Sequence, residues 1–140
     1  MECKIHWQPQ MGMAFVGETG SGHLVTMDGA PQGGGRNLAP RPMELLLAGT
    51  GGCTAYDVVH ILRKGRHEVL DCEVQLKAQR AETEPMVFSA IHMHFVVRGP
   101  HLTEAVVARA IALSHEKYCS ASIMLSKTAT ISTSFEVSPA

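Results

Sequence analysis

Two cysteines stand where a thiol could do chemistry, Cys53 and Cys119. Cys53 lies in "AGTGGCTAYDVV", residues 48–59, with three glycines ahead of it in what otherwise reads as one apolar helix. Each glycine should cost such a helix roughly 1 kcal/mol relative to alanine. On an unbroken helix Gly49, Tyr56, Asp57 and His60 are the same-face neighbours of Cys53. Gly49 and Gly52 remove side chains beside the sulfur, so either another helix or a substrate can approach closely. Cys119 follows the last turn of one helix and precedes a short helical piece, "SASIMLSK", whose cap is Ser120 or Cys119 itself. A thiol at a helix start feels the positive end of the dipole, which is expected to lower its pKa below about 8.5. His115 and Lys117 would add positive charge nearby.

The commonest fate of a free cysteine is a small buried hydrophobe, which Cys53 and Cys119 fit less easily, though neither alone settles the matter. Together, one on a central helix and one at a helix start, they suit a peroxidatic and resolving pair. In that chemistry a thiolate attacks a peroxide oxygen to give a sulfenic acid, and a second thiol condenses with it to a disulfide. An external dithiol resets the pair, and no bound cofactor or metal is needed. Cys3 and Cys72 fit the buried-hydrophobe reading, each in an expected strand. No CxxC spacing suggests zinc, and a disulfide framework is not expected in a cytoplasmic chain.

The thiols must be positioned by a chain of 140 residues, which fits a single domain over 1–140. It is 45% hydrophobic and 18% charged, the balance of a globular protein. A formal charge of -1 supplies no field for nucleic acid or an anionic membrane. The first ten residues lack the apolar core of a signal peptide, so a cytoplasmic location is expected. Residues 2–8 read as a strand, and 12–29 as two strands joined by "ETGSG". Residues 30–40 carry three successive glycines and are expected to be a loop rather than a phosphate cradle.

A helix is predicted from Arg41, with Pro42 and Glu44 in its first turn, to a stop at Gly65. Its apolar residues cover almost every side, so it should be enclosed by sheet, helices or a second subunit, while Glu44, Asp57 and His60 argue against a membrane span. Strands are expected at 69–80 and 86–99, the second placing Val87, Ile91, Met93, Phe95 and Val97 on one face. An amphipathic helix follows over 101–118, with Leu102, Ala105, Val106, Ala110 and Leu113 as its stripe. The last strand should turn Ala129, Ile131, Thr133, Phe135 and Val137 inward. The order β-β-β-α-β-β-α-β defines an α+β fold with a largely antiparallel sheet and a long central helix.

At this point "PRPMELLLAGTGGCTAYDVV" and "HEKYCSASIMLSKTATISTSFEV" together resemble the two cysteine segments of the OsmC/Ohr family, in particular its YhfA-like branch. OsmC stands for osmotically inducible protein C, and Ohr for organic hydroperoxide resistance protein. The resemblance implies an OsmC-like fold and an intertwined homodimer in which both subunits enclose each central helix. It further implies reduction of organic or lipid hydroperoxides, with Cys53 attacking, Cys119 resolving and a dithiol as reductant. Family peroxidases open this helix with Asn-Pro-Glu, and the Glu works with an arginine of the N-terminal hairpin. Here Met43 follows Pro42 and the acid stands at Glu44, a shift that turns the side chain by about 100°. The turn "ETGSG" holds no arginine, leaving Arg36 and Arg41 as substitutes. These departures keep a second reading open, a non-catalytic dimer holding an apolar small molecule at its subunit interface.

Two smaller patterns remain. His92 and His94 form an HxH pair opposite the apolar face of their strand, read either as a metal pair or as a solvated one. His115 and Cys119, four apart, have the spacing of a Cys-His hydrolase, but no orienting acid is evident.

Overall fold

The computed structural model describes residues 1–139 and divides into two compact units, met below in turn. In the N-terminal unit, residues 1–46, three strands form an antiparallel meander: β1 (Cys3–Gln8), β2 (Ala14–Thr19) and β3 (Leu24–Asp28). Cys3 on β1 is exposed, which corrects the expectation that it is a buried hydrophobe.

The glycine-rich segment after β3 is a loop, and a single carboxylate organises it. Asp28 is buried and accepts N–H donors from Gly29 at 2.8 Å and from Arg36 and Leu38 at 3.0 Å each. The loop folds so tightly that a Cβ on Gly35 would stand 1.8 Å from the carbonyl oxygen of Gly29, so only glycine fits. The Leu38 amide and the other two donors hold the Asp28 carboxyl below its ordinary 3.8, against the opposing effect of burial.

Helix α1 (Pro42–Lys64) leaves this unit and continues into the second, which begins at residue 47. Its buried positions, Thr50, Gly51, Thr54, Val58 and Leu62, recur every three to four residues along one stripe. Gly51 is where α1 comes close to the sheet: a Cβ there would stand 2.6 Å from Cδ1 of Leu76, which would have to turn aside. Gly49 and Gly52 face open space among the described residues, so the close-packing requirement within the chain falls on Gly51 alone of the three. The remaining faces stay uncovered: Leu46 is 52% and Tyr56 69% exposed. Despite its polar residues, α1 is long and apolar enough to cross a membrane by length and composition, with a mean hydropathy of 1.3.

The second sheet has the order β4 (Asp71–Arg80), β5 (Phe88–Arg98), β6 (Thr130–Ser138). The β4–β5 pair is antiparallel, whereas β5 and β6 run parallel. A parallel pair requires a crossover connection, and α2 (Glu104–Leu113), a π-helical turn (Ser114–Tyr118) and α3 (Ser120–Leu125) supply it. Central strand β5 contributes Phe88, Ile91, Met93, Phe95 and Val97 to the core. Full burial of a side chain of this size contributes about 1.5–3 kcal/mol.

Several sequence-based placements shift. Register slips beside Gln79 and Arg80, where Ala90 and Phe88 are successive partners and Ser89 bulges out. The extra residue inverts the alternation, so Phe88 is buried while Val87 precedes the strand and is 37% exposed. Helix α2 starts later than expected, at a Thr103 cap that accepts the Val106 N–H. Its buried stripe is Val107, Ala110 and Ile111, continued by Ser114 in the π-helical turn, with Ala105 exposed, because apolar residues surround this helix and left the facing side ambiguous. On β6, Thr133 is exposed rather than inward.

Asp28 generates a pH prediction. A carboxylate whose folded pKa is depressed contributes stability above its unfolded value, and that contribution is lost as pH falls through the folded value. Chemical denaturation should therefore show the native protein losing stability on acidification below about pH 4. Asp28→Asn should lose much of that acid-sensitive increment at neutral pH and speed amide exchange across residues 29–38. Unchanged exchange in the variant would contradict the bracing role.

Candidate active site

The second unit brings the two cysteines together. Sγ of Cys53, Sγ of Cys119 and a carboxylate oxygen of Asp57 all lie within 4.8 Å of one another. Cys53 and Asp57 are one helical turn apart, so α1 presents both on the same face. The π-helical turn delivers Cys119: the wide turn closes with the Cys119 N–H donating to the Ser114 carbonyl at 2.7 Å. Such turns recur at functional sites because they redirect the residues that follow. Cys119 then caps α3, its sulfur accepting the Ser122 N–H at 3.4 Å.

A buried hydrogen-bond chain fixes this arrangement. The Ser114 hydroxyl donates to Asp57 Oδ2 at 2.9 Å. With its one proton so committed, Ser114 can only accept from the Thr54 hydroxyl, also at 2.9 Å. Thr54 and Ser114 are fully enclosed, at 2% and 0% exposure. The chain runs from α1 to the end of α2 and back to α1, one residue beyond Cys53 and four beyond it.

The two thiols differ. Cys53 is part-exposed and Cys119 fully buried. Burial pushes the Cys119 thiol up, outweighing the Ser122 hydroxyl and N–H that favour the thiolate, and the neighbouring Cys53 raises it further. This corrects the expected lowering at a helix start: removal from water exceeds what one short helix offers. His115 and Lys117 make other contacts. His115 Nδ1 meets the Ser122 hydroxyl at 3.3 Å, and Lys117 Nζ lies 5.3 Å from the centre of the Tyr118 ring.

Of the other sequence-based candidates, Glu44, Arg36 and Arg41 lie in the N-terminal unit. Glu44 Oε2 accepts the backbone N–H of Arg41 at 2.8 Å, half of a capping box at the start of α1. The Arg36 backbone binds Asp28, while its side chain runs beside Gly12. Among the described residues the ion pairs are Asp71–Arg98 and His94–Glu136, and neither includes Glu44, Arg36 or Arg41. His92 and His94 are engaged by β6: both ring nitrogens of His92 meet serines, Ser132 at 2.8 Å and Ser134 at 2.9 Å. His94 Nδ1 meets Ser134 at 2.8 Å.

Sequence reasoning noted Asp57 as a neighbour of Cys53 but missed Thr54, Ser114 and Ser122. The available signal was a polar pair, Thr54 and Asp57, on an otherwise apolar helix. Its partner Ser114 is 57 residues away from Asp57 and carries no local mark. Ser114→Ala should strand the Thr54 hydroxyl and untie Asp57, costing about 1–3 kcal/mol. In a double-mutant cycle by denaturation, Thr54→Val should add much less in that background than alone. Additive costs would show that the two hydroxyls are not coupled.

With this geometry in hand, comparisons place the chain among known proteins. Residues 33–134 match the family model described as OsmC-like protein. Protein YhfA of Escherichia coli (strain K12) is 47% identical over 137 residues, covering 98% of each chain. A crystal structure of a protein from Aquifex aeolicus VF5 is 32% identical, with a TM-score of 0.85 over 99% of this chain and 96% of that one. An organic hydroperoxide resistance protein, OsmC, from Legionella pneumophila shares the fold at 20% identity, with a TM-score of 0.75 over 97% and 96% of the two chains. Extensive sequence identity, the family match and the shared fold agree: the chain belongs to the OsmC-like protein family.

Proposed function

We propose that the protein is a thiol peroxidase for organic or lipid hydroperoxides, working as a homodimer. The observation that carries this reading is the meeting of Cys53 and Cys119 beside Asp57. Exposure supports the division of roles, since the part-exposed Cys53 can meet a peroxide and the buried Cys119 cannot. The Cys53 thiolate attacks the distal peroxide oxygen, the O–O bond breaks, and the alkoxide leaves as an alcohol after taking up a proton. Cys53 is then a sulfenic acid. The Cys119 sulfur attacks it, forming the disulfide and releasing water. An external dithiol reduces the disulfide and completes the cycle.

Purified protein should reduce cumene or fatty-acid hydroperoxide in the presence of a dithiol, and Cys53→Ser should abolish turnover. Turnover surviving that substitution would overturn the assignment.

The homodimer accounts for the uncovered side of α1. Gly49, Gly52 and the 69% exposed Tyr56 share that side, and a second copy laid against it would remove apolar surface from water. A Cβ at Gly52 would meet nothing within 4 Å in the chain, so Gly52→Leu should leave the fold intact yet shift the protein from dimer to monomer by light scattering. A dimer of unchanged strength would show that this face is not buried between subunits.

One observation favours the second reading, a dimer that binds an apolar molecule without chemistry. Glu44 caps its own helix and pairs with neither Arg36 nor Arg41. An open cleft of about 450 Å³, with Asp57, His60, Ile61, Lys64, Leu113 and Tyr118 among its lining residues, has room for such a ligand.

A further inference from the structure

Cys53, Asp57 and Cys119 form a cluster of potential metal ligands among the described residues, and their chemistry suits a particular cation. We infer that the reduced thiol pair, together with Asp57, is a binding site for a thiophilic divalent cation, Zn²⁺ by ligand preference. This inference does not require that the pair reduce peroxides.

The geometry needs little adjustment. Zn–S bonds of about 2.3 Å and Zn–O bonds of about 2.1 Å place tetrahedral ligand atoms roughly 3.5–3.8 Å apart. The three atoms are already within 4.8 Å of one another, about 1 Å beyond that spacing at most. Two sulfurs and one carboxylate favour zinc over magnesium or calcium, which take oxygen ligands. Three protein ligands leave a fourth tetrahedral position for water.

The surroundings also resemble a metal site. The Ser114 hydroxyl orients the Asp57 carboxylate, and Thr54 orients Ser114 in turn. Hydrogen bonds of this kind fix the direction in which a ligand atom points. Coordination would release the two thiol protons to solvent and leave both sulfurs bound to the cation. A sulfur held this way shares a lone pair with the cation and is less available for attack on an oxidant or for disulfide formation, so the cation would favour the reduced state of the pair.

The test uses the full chain, reduced with a phosphine and titrated anaerobically with Co²⁺. Cobalt reports its own ligands, because thiolate-to-cobalt charge transfer absorbs in the near ultraviolet with an intensity that follows the number of thiolates. The expected result is saturation at one cobalt per chain with the intensity of two thiolates, displaced by Zn²⁺. Cys119→Ser should halve that intensity, and Asp57→Asn should weaken cobalt affinity by at least about 10-fold. A Cys3→Ser/Cys72→Ser variant should titrate as the native protein does. As a second readout on the native chain, stoichiometric Zn²⁺ should protect the part-exposed Cys53 from alkylation. A missing charge-transfer band, a band that survives Cys53→Ser/Cys119→Ser, or alkylation unaffected by zinc would overturn the site. So would an unchanged affinity in Asp57→Asn. Peroxide turnover is not among these readouts, so loss of the peroxidase reading would leave the result interpretable.

Discussion

The hydrogen-bond chain Thr54–Ser114–Asp57 is the interaction on which the thiol site depends. It crosses between α1 and the end of α2 at a place where no water reaches Thr54 or Ser114. A buried hydroxyl without a partner is costly, so the two helices are held in a single relative register. That register sets Cys53 on one side and Cys119 on the other. Asp57 ends the chain beside the thiol pair, with a carboxylate oxygen within 4.8 Å of both sulfurs.

Around that interaction the chain uses backbone irregularities to aim side chains. The π-helical turn over Ser114–Tyr118 ends α2 and swings Cys119 into the cap of α3. Missing side-chain volume at Gly51 lets α1 lie over Leu76. In the N-terminal unit the same economy appears in the loop after β3, where one carboxylate gathers three amides and a glycine admits the close turn. The fold thus places glycine where backbone or side chain comes near, and leaves Gly49 and Gly52 to a side of α1 that the chain itself does not fill.

Much of the architecture was legible in the sequence, because element type follows from periodicity and from Pro and Gly punctuation. The strand and helix order, the long α1 and the reduced pair of cysteines on helical elements could all be reached that way. What was not legible depended on contacts remote in sequence or on departures from regular geometry. A bulge at Ser89 exchanged Val87 for Phe88 in the core, and no alternation pattern announces such a slip. The burial of Cys119 outweighed its favourable position at a helix start, a balance that only enclosure decides. Ser114 became a structural hinge of the site through partners more than fifty residues away.

The central claim is that Cys53 and Cys119 act as one redox unit, and disulfide mapping tests it directly. The reduced protein should be treated with a stoichiometric amount of cumene hydroperoxide, blocked with an alkylating agent, digested and examined by mass spectrometry. The account predicts a Cys53–Cys119 disulfide as the main product, with Cys3 and Cys72 recovered as alkylated thiols. Recovery of Cys119 as an alkylated thiol, with Cys53 either unreacted or oxidised beyond the sulfenic acid, would contradict it.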